Sequence, residues 1–187
     1  IYPKPNLSLS NKEHKKYPYL LKNLKITKSN QVWSIDITYI RTKTGFMYLT
    51  AVIDVFSRYI IAWELSNSLS KELCTTVLKK ALQVSKPEII NTDQGSQYTS
   101  NEFVELVETN GIKLSMDSKG RALDNIWIER FWRTIKYQEI YLKEYKTVNE
   151  LYTGIEEYID FYNSKRGHQS LKNRTPESVY NKENKAA

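Results

Sequence analysis

From Trp33 to Tyr39 apolar and polar side chains alternate strictly, with Trp33, Ile35, Ile37 and Tyr39 on one face and Ser34, Asp36 and Thr38 on the other. A period of two predicts a half-covered β-strand, and it projects Asp36 from the polar face. Phe46 to Asp54 is almost continuously apolar, as a central strand covered on both sides requires; Ser57-Arg58 then turns the chain into a third strand, Tyr59 to Leu65. Next the period lengthens. Leu73, Val77, Leu78, Ala81 and Leu82 recur at helical spacing behind a capping Ser70, until Lys86-Pro87 ends the helix. A short strand, Glu88 to Asn91, delivers Asp93 to its carboxyl-terminal edge. Ser100 caps a helix carrying Phe103, Leu106 and Val107, and Ile112 to Ser115 gives a last short strand. Residues 116–123, with Gly120, predict a mobile loop.

A helix from Asp124 onward is amphipathic. At about 100° per residue, with Asn125 at zero, Glu129 falls near ~40°, Arg133 near ~80° and Lys136 near ~20°, while Trp127, Ile128, Phe131 and Ile135 fall between roughly 200° and 300°. Glu129 thus shares a face with two cations, and an ordinary Glu129–Arg133 pair one turn apart is the plain alternative. A second amphipathic helix, about Val148 to Asn163, presents Leu151, Ile155, Tyr158, Ile159 and Tyr162 as one face. Three strands followed by helix, strand, helix, strand and long helices is a mixed α/β pattern, with helices to cover both faces of one sheet.

The 187 residues suffice for one domain with its own core. A single cysteine, Cys74, excludes an internal disulfide framework, no apolar stretch approaches a membrane span, and no secretory signal opens the sequence. A reducing, cytoplasmic compartment is expected. The net charge of +7 is uneven: residues 1–30 carry seven lysines, Lys15 and Lys16 among them, against Glu13 alone. With Pro3, Pro5 and Pro18 and no periodicity, residues 1–30 predict an extended basic arm, residues 31–180 a core with a carboxyl-terminal helical extension, and residues 181–187 a basic tail. Basic flanks around an acidic centre suit an enzyme that handles DNA, where lysines neutralise phosphate.

The candidate chemistry lies in three carboxylates in separate motifs. Asp36 stands on the first strand, Asp93 in Asn91-Thr92-Asp93-Gln94-Gly95-Ser96-Gln97-Tyr98, and Glu129, with thirty-five residues between it and Asp93, in Glu129-Arg130-Phe131-Trp132. Oxygen ligands gathered from distant positions are what hard divalent cations need, with room left for water and phosphate. The chemistry this points to is two-metal phosphoryl transfer on nucleic acid. Asp54 is the decoy, since a turn or an arginine pair at Ser57-Arg58 explains it. Two histidines, His14 and His168, cannot assemble a zinc set. His168 fits a local structural role or a phosphate contact; Asn125, Ser96 and Gln97 suit either positioning DNA or bonding a carboxylate; Tyr98, a loop tyrosine, could stack on bases.

With those residues in view, the chain resembles the OrfB-type transposases of small bacterial insertion sequences, whose catalytic part is the integrase core shared with retroviral integrases. The further matching stretches are Gly120 to Asn125, Lys136-Tyr137, Phe161-Tyr162-Asn163, His168-Gln169 and Thr175-Pro176. The resemblance implies an RNase H-like fold, a five-stranded mixed sheet flanked by helices. Asp36, Asp93 and Glu129 would then hold two Mg²⁺, with Mn²⁺ as a substitute, and Lys136 would contact transposon-end DNA. It further implies nicking and strand transfer on double-stranded DNA by a homo-oligomer. Two departures stand out: residues 1–30 supply no helix-turn-helix, so an upstream fused region or partner is expected, and Gly167 stands where proline precedes His168-Gln169. An RNase H-type nuclease or resolvase that cleaves without joining, and a non-catalytic DNA-binding relic, are the rival classes.

Overall fold

The computed structural model describes residues 17–43, 45–117 and 125–184. Three strands, β1 (Val32–Thr42), β2 (Gly45–Asp54) and β3 (Ile60–Ser66), form an antiparallel meander. After α1 (Lys71–Val84), β4 (Ile89–Thr92) returns parallel to β1, and α2 (Asn101–Thr109) leads to β5 (Lys113–Met116), parallel to β4. The sheet order is β3-β2-β1-β4-β5. Beyond it run α3 (Ile126–Ile135), α4 (Val148–Ser164) and α5 (Pro176–Asn184). α3 continues into a π-helical turn over Lys136–Ile140, which a uniform 100° wheel does not anticipate.

Each sheet face buries its own core. Trp33 and Ile35 on β1 join Val52, Ala62, Ile90 and Leu114 beneath α1 and α2, which contribute Leu73, Val77, Leu78, Phe103 and Val107. On the other face Leu49, Ala51 and Ile53 pack against Ile128, Phe131 and Ile135 of α3 and Ile155 and Ile159 of α4. The polar face expected for β1 is therefore covered as well. β1 lies between β2 and β4, and Ser34 and Thr38 are buried on its α3 side. The alternation marks which side faces the acid-bearing helix, rather than a side open to water.

Residues 17–30 have no helix or strand, yet they are packed. Leu20, Leu21, Leu24 and Ile26 cover Val32, Val55 and Ile89 at one end of the sheet. Tyr17 donates its hydroxyl to Glu108 at 2.9 Å, and the Leu20 N–H donates to Ser115 Oγ at 3.0 Å. Lys15 and Lys16 lie outside the described residues, as do residues 118–124, most of the expected loop.

Candidate active site

Asp36 sits opposite Ala51 in the register of β1 and β2, so it points to the α3 side of the sheet. There the Trp132 indole N–H donates to Asp36 Oδ2 at 2.8 Å. Burial raises the Asp36 carboxyl to about 6; the Trp132 and Ile37 N–H groups oppose that rise, and the negative charges of Asp93 and Glu129 add to it. The acid is thus half-buried and within electrostatic reach of both other members of the triplet.

Asp93 follows the last residue of β4, whose parallel pairing with β1 runs to Ser34↔Asn91, so Asp93 leaves the sheet beside the Asp36 stretch of the central strand. Asp93 Oδ1 accepts the Gly95 N–H at 2.7 Å, closing a tight turn. A β-carbon on Gly95 would lie 2.8 Å from Asp93 Oδ1 and 3.0 Å from Gln97 Oε1, so a larger residue there would push these two side-chain ends out of place. The residue as a whole is exposed, but its carboxyl is tucked against this turn, and partial burial raises its pKa, with the Gly95 bond opposing. Underneath, Asn91 Nδ2 donates to Asp117 at 2.7 Å and Ser115 Oγ donates to Asn91 Oδ1 at 2.8 Å, fixing the ends of β4 and β5.

Glu129 is exposed in the first turn of α3. Among the described residues it makes no ion pair or side-chain hydrogen bond, so the plain Glu129–Arg133 pair does not form. Among the same residues, no three His, Cys, Asp or Glu side chains are gathered closely enough to make a metal-ligand set. Lys136 lies near Asp36, with Nζ 5.6 Å from the Tyr39 ring centroid; burial lowers its pKa and Asp36 opposes that. Arg133 is exposed on the same side of the helix, and Gln97 is half-buried beside the Asp93 turn.

Three residues expected to meet DNA have structural surroundings instead. Tyr98 is only 2% exposed and packs edge-on to Phe103 at 5.4 Å, so it cannot reach a base; it closes the core under the Asp93 turn. Asn125 is buried and accepts the Ser34 hydroxyl, which docks the start of α3 on β1. His168 bridges Arg174 through its backbone and sets its ring edge-on to Tyr162 at 4.7 Å. Burial, with Arg166 and Arg58 nearby, lowers it to about 4, so it is neutral at pH 7 and offers phosphate no charge. Gly167 has a local reason too, since a β-carbon there would meet the Asn173 carbonyl oxygen at 2.8 Å. Asp54 serves a turn, accepting N–H and O–H from Ser57.

Trp132 is the functional neighbour that sequence reasoning missed. The helical wheel carried its signal, because position 132 falls near ~340°, between the core face and Glu129.

A five-stranded mixed sheet between helices, with acids on its first strand, after its fourth and on a following helix, is an RNase H-like fold. The HTLV-2 integrase catalytic core domain in complex with magnesium shares it, with a TM-score of 0.67 and 22% identity over 82% of this chain and 97% of that one. The catalytic core domain of BIV integrase aligns with a TM-score of 0.67 and 16% identity over 84% and 97%. The family model described as integrase core domain matches residues 26–122, a second of the same description matches residues 110–176, and the chain belongs to the integrase core family.

Among relatives, the transposase for insertion sequence element IS904 of Lactococcus lactis is 38% identical over 156 residues, 81% of this chain and 62% of its own length. The putative transposase InsK for insertion sequence element IS150 of Escherichia coli is 34% identical over 160 residues, 84% of this chain and 56% of its own. The chain spans less than two thirds of the length of these two relatives. No helix among the described residues is long and apolar enough to cross a membrane.

Proposed function

We propose that this chain is the catalytic core of a DNA transposase that nicks the 3′ ends of an insertion sequence and joins them to target DNA with divalent cations. The observation that carries this reading is Asp36, half-buried, held by Trp132 and made harder to ionise first by its partial burial and then by the charges of Asp93 and Glu129. A cation would relieve that repulsion. Three hard oxygen donors fit Mg²⁺, with Mn²⁺ as a substitute: Asp36 would serve two ions, Asp93 one and Glu129 the other, Glu129 moving in to complete the set. Bound ions supply activation of the attacking oxygen and charge neutralisation at the leaving 3′-oxygen.

The protein side chains do the positioning. Trp132 fixes the Asp36 carboxylate, the Gly95 N–H fixes that of Asp93, and Lys136 beside Asp36 offers its ammonium to a backbone phosphate near the reacting one. Arg133 and Gln97 flank the same site. With water as nucleophile, a new P–O bond replaces the P–O3′ bond and the departing 3′-oxygen takes a proton. The freed 3′-hydroxyl then attacks a target phosphorus and displaces a target 3′-oxygen, so no covalent protein–DNA intermediate is needed. Duplex DNA, a second copy of the chain and a helix-turn-helix reader of the ends are the partners, in the bacterial cytoplasm at the nucleoid.

The test is incubation of purified chain with end-bearing duplexes in Mg²⁺ or Mn²⁺, scoring nicked and joined products. Asp36→Asn, Asp93→Asn and Glu129→Gln should each abolish both while remaining folded. Nicks without joined products would favour the nuclease class, and near-normal cleavage by any variant would remove that residue from the site.

A further inference from the structure

Away from the carboxylates, the turn between β2 and β3 holds a cation that the reaction does not use. Arg58 has φ +67°, a left-handed conformation uncommon for a non-glycine residue. Asp54 enforces it: Oδ1 accepts from the Ser57 N–H and hydroxyl at 2.7 and 2.6 Å, Oδ2 accepts the Asn30 N–H at 2.7 Å, and the Asp54 carbonyl accepts the Arg58 N–H at 2.8 Å. This turn lays the guanidinium on Trp127, 3.4 Å from the ring centroid, while Arg130 approaches the same ring at 5.1 Å.

Both Asp54 oxygens are committed to other donors. Among the described residues the Arg58 guanidinium makes no hydrogen bond or ion pair, and burial lowers its pKa to about 10. A guanidinium has five N–H donors and no acceptor, so a half-buried one without an acceptor is an incomplete arrangement. It lines a cleft of about 360 Å³ together with Lys172 and Arg174. Trp127, Phe56 and Leu171 supply apolar wall, and among the described residues no acidic side chain lines the cleft. Lys172 and Asn173 are successive left-handed residues, φ +57° and +60°, which fix the turn carrying the second cation.

We propose that this cleft grips a phosphodiester of the DNA backbone at a position away from the scissile one. Arg58 offers its planar fork to two phosphate oxygens, Lys172 and Arg174 add charge, and Trp127 keeps the guanidinium pre-oriented. Trp127 lies two residues before Glu129, about 200° around the helix, so the cleft opens on the side of α3 turned from the carboxylates. DNA held there is anchored rather than cut, and since phosphate contacts carry no base information, affinity should change without sequence preference. The proposal rests on the reading of this chain as a DNA-acting enzyme.

The test measures duplex binding by anisotropy over a range of salt, without divalent metal, for the wild-type chain, Arg58→Asn and Lys172→Asn. Asparagine tolerates left-handed backbone, so each substitution removes charge and keeps the turn. Each variant should bind several-fold more weakly, with the slope of log affinity against log salt reduced by about 1. Lys172 is exposed, so its variant decides the matter if Arg58→Asn melts early. Unchanged affinity and slope for Lys172→Asn and any folded Arg58 variant would overturn the cleft, whereas failure of the wild-type chain to bind DNA would overturn the proposed function instead. Inorganic phosphate forms a second arm: stabilisation by phosphate over chloride at equal ionic strength, with unchanged DNA affinity in both variants, would assign the cleft to a free small anion and overturn the backbone assignment.

Discussion

The indole N–H of Trp132 donates to Asp36 Oδ2 at 2.8 Å, tying α3 to the central strand β1 at the acid around which the candidate site is built. A helix-borne aromatic thus opposes the rise that burial imposes on a strand-borne carboxylate.

Trp132→Phe removes that bond while keeping an aromatic in the core. Loss of a donor to the charged form raises the Asp36 pKa further, by about one unit for a hydrogen bond of ~1.5 kcal/mol. Metal-dependent cleavage should shift its acid limb to higher pH by a similar amount. An unchanged profile measured from pH 5 to 8 would show that the bond does not tune the acid.

Asp36→Asn should stabilise the metal-free chain at pH 7. The folded pKa, about 6, stands above the ordinary carboxylate value, so the contribution of this group is fully present below about pH 4 and lost as pH rises through 6. The loss is on the order of 3 kcal/mol. Melting curves should therefore show the wild-type chain losing stability from pH 4 to 7 relative to Asp36→Asn, with Mg²⁺ restoring it only in the wild type. A lower Tm for the variant in metal-free buffer at pH 7 would contradict this.

Gly95→Ala should impair catalysis more than folding. The added carbon meets Asp93 Oδ1 at 2.8 Å and must displace that carboxylate or the turn. We expect at least about a tenfold loss of cleavage, against a stability change of ~1–2 kcal/mol for strain in one exposed turn. Equal activity in the two proteins would show that the Asp93 turn is not held in a working geometry.

Two truncations separate the roles of the amino-terminal segment. Removing residues 1–16 should leave Tm within a few degrees but weaken DNA binding and flatten its salt dependence, because it takes away four lysines and leaves the packed residues 17–30 in place. Removing residues 1–28 uncovers Val32, Val55 and Ile89 by taking away Leu20, Leu21, Leu24 and Ile26, several kcal/mol of apolar burial. Calorimetry showing the same Tm for both would mean that this packing contributes nothing.

The sequence by itself determined the strands, the helices and the candidate acids, because these depend on local periodicity. Alternation from Trp33 to Tyr39 placed Asp36 on the face opposite Trp33, and Ser100 caps α2 as the side-chain acceptor of the Phe103 N–H, whereas Ser70, expected to cap α1, precedes it without a side-chain cap bond. Short motifs around Asp93 and Glu129 were equally legible, since chemistry of this kind needs particular residue types at fixed spacing. Only the tertiary structure decided what those faces meet. Covering the polar side of β1 with α3 turned Asp36 into a half-buried acid bonded to Trp132, and packing α2 beneath the Asp93 turn drew Tyr98 into the core. Arg58 shows the same division: sequence places it in a turn, but its stack on Trp127, sixty-nine residues away, exists only once β2 and α3 are brought together. Periodicity is a property of one element, whereas burial, charge proximity and open clefts arise between elements, and no local pattern encodes the partner.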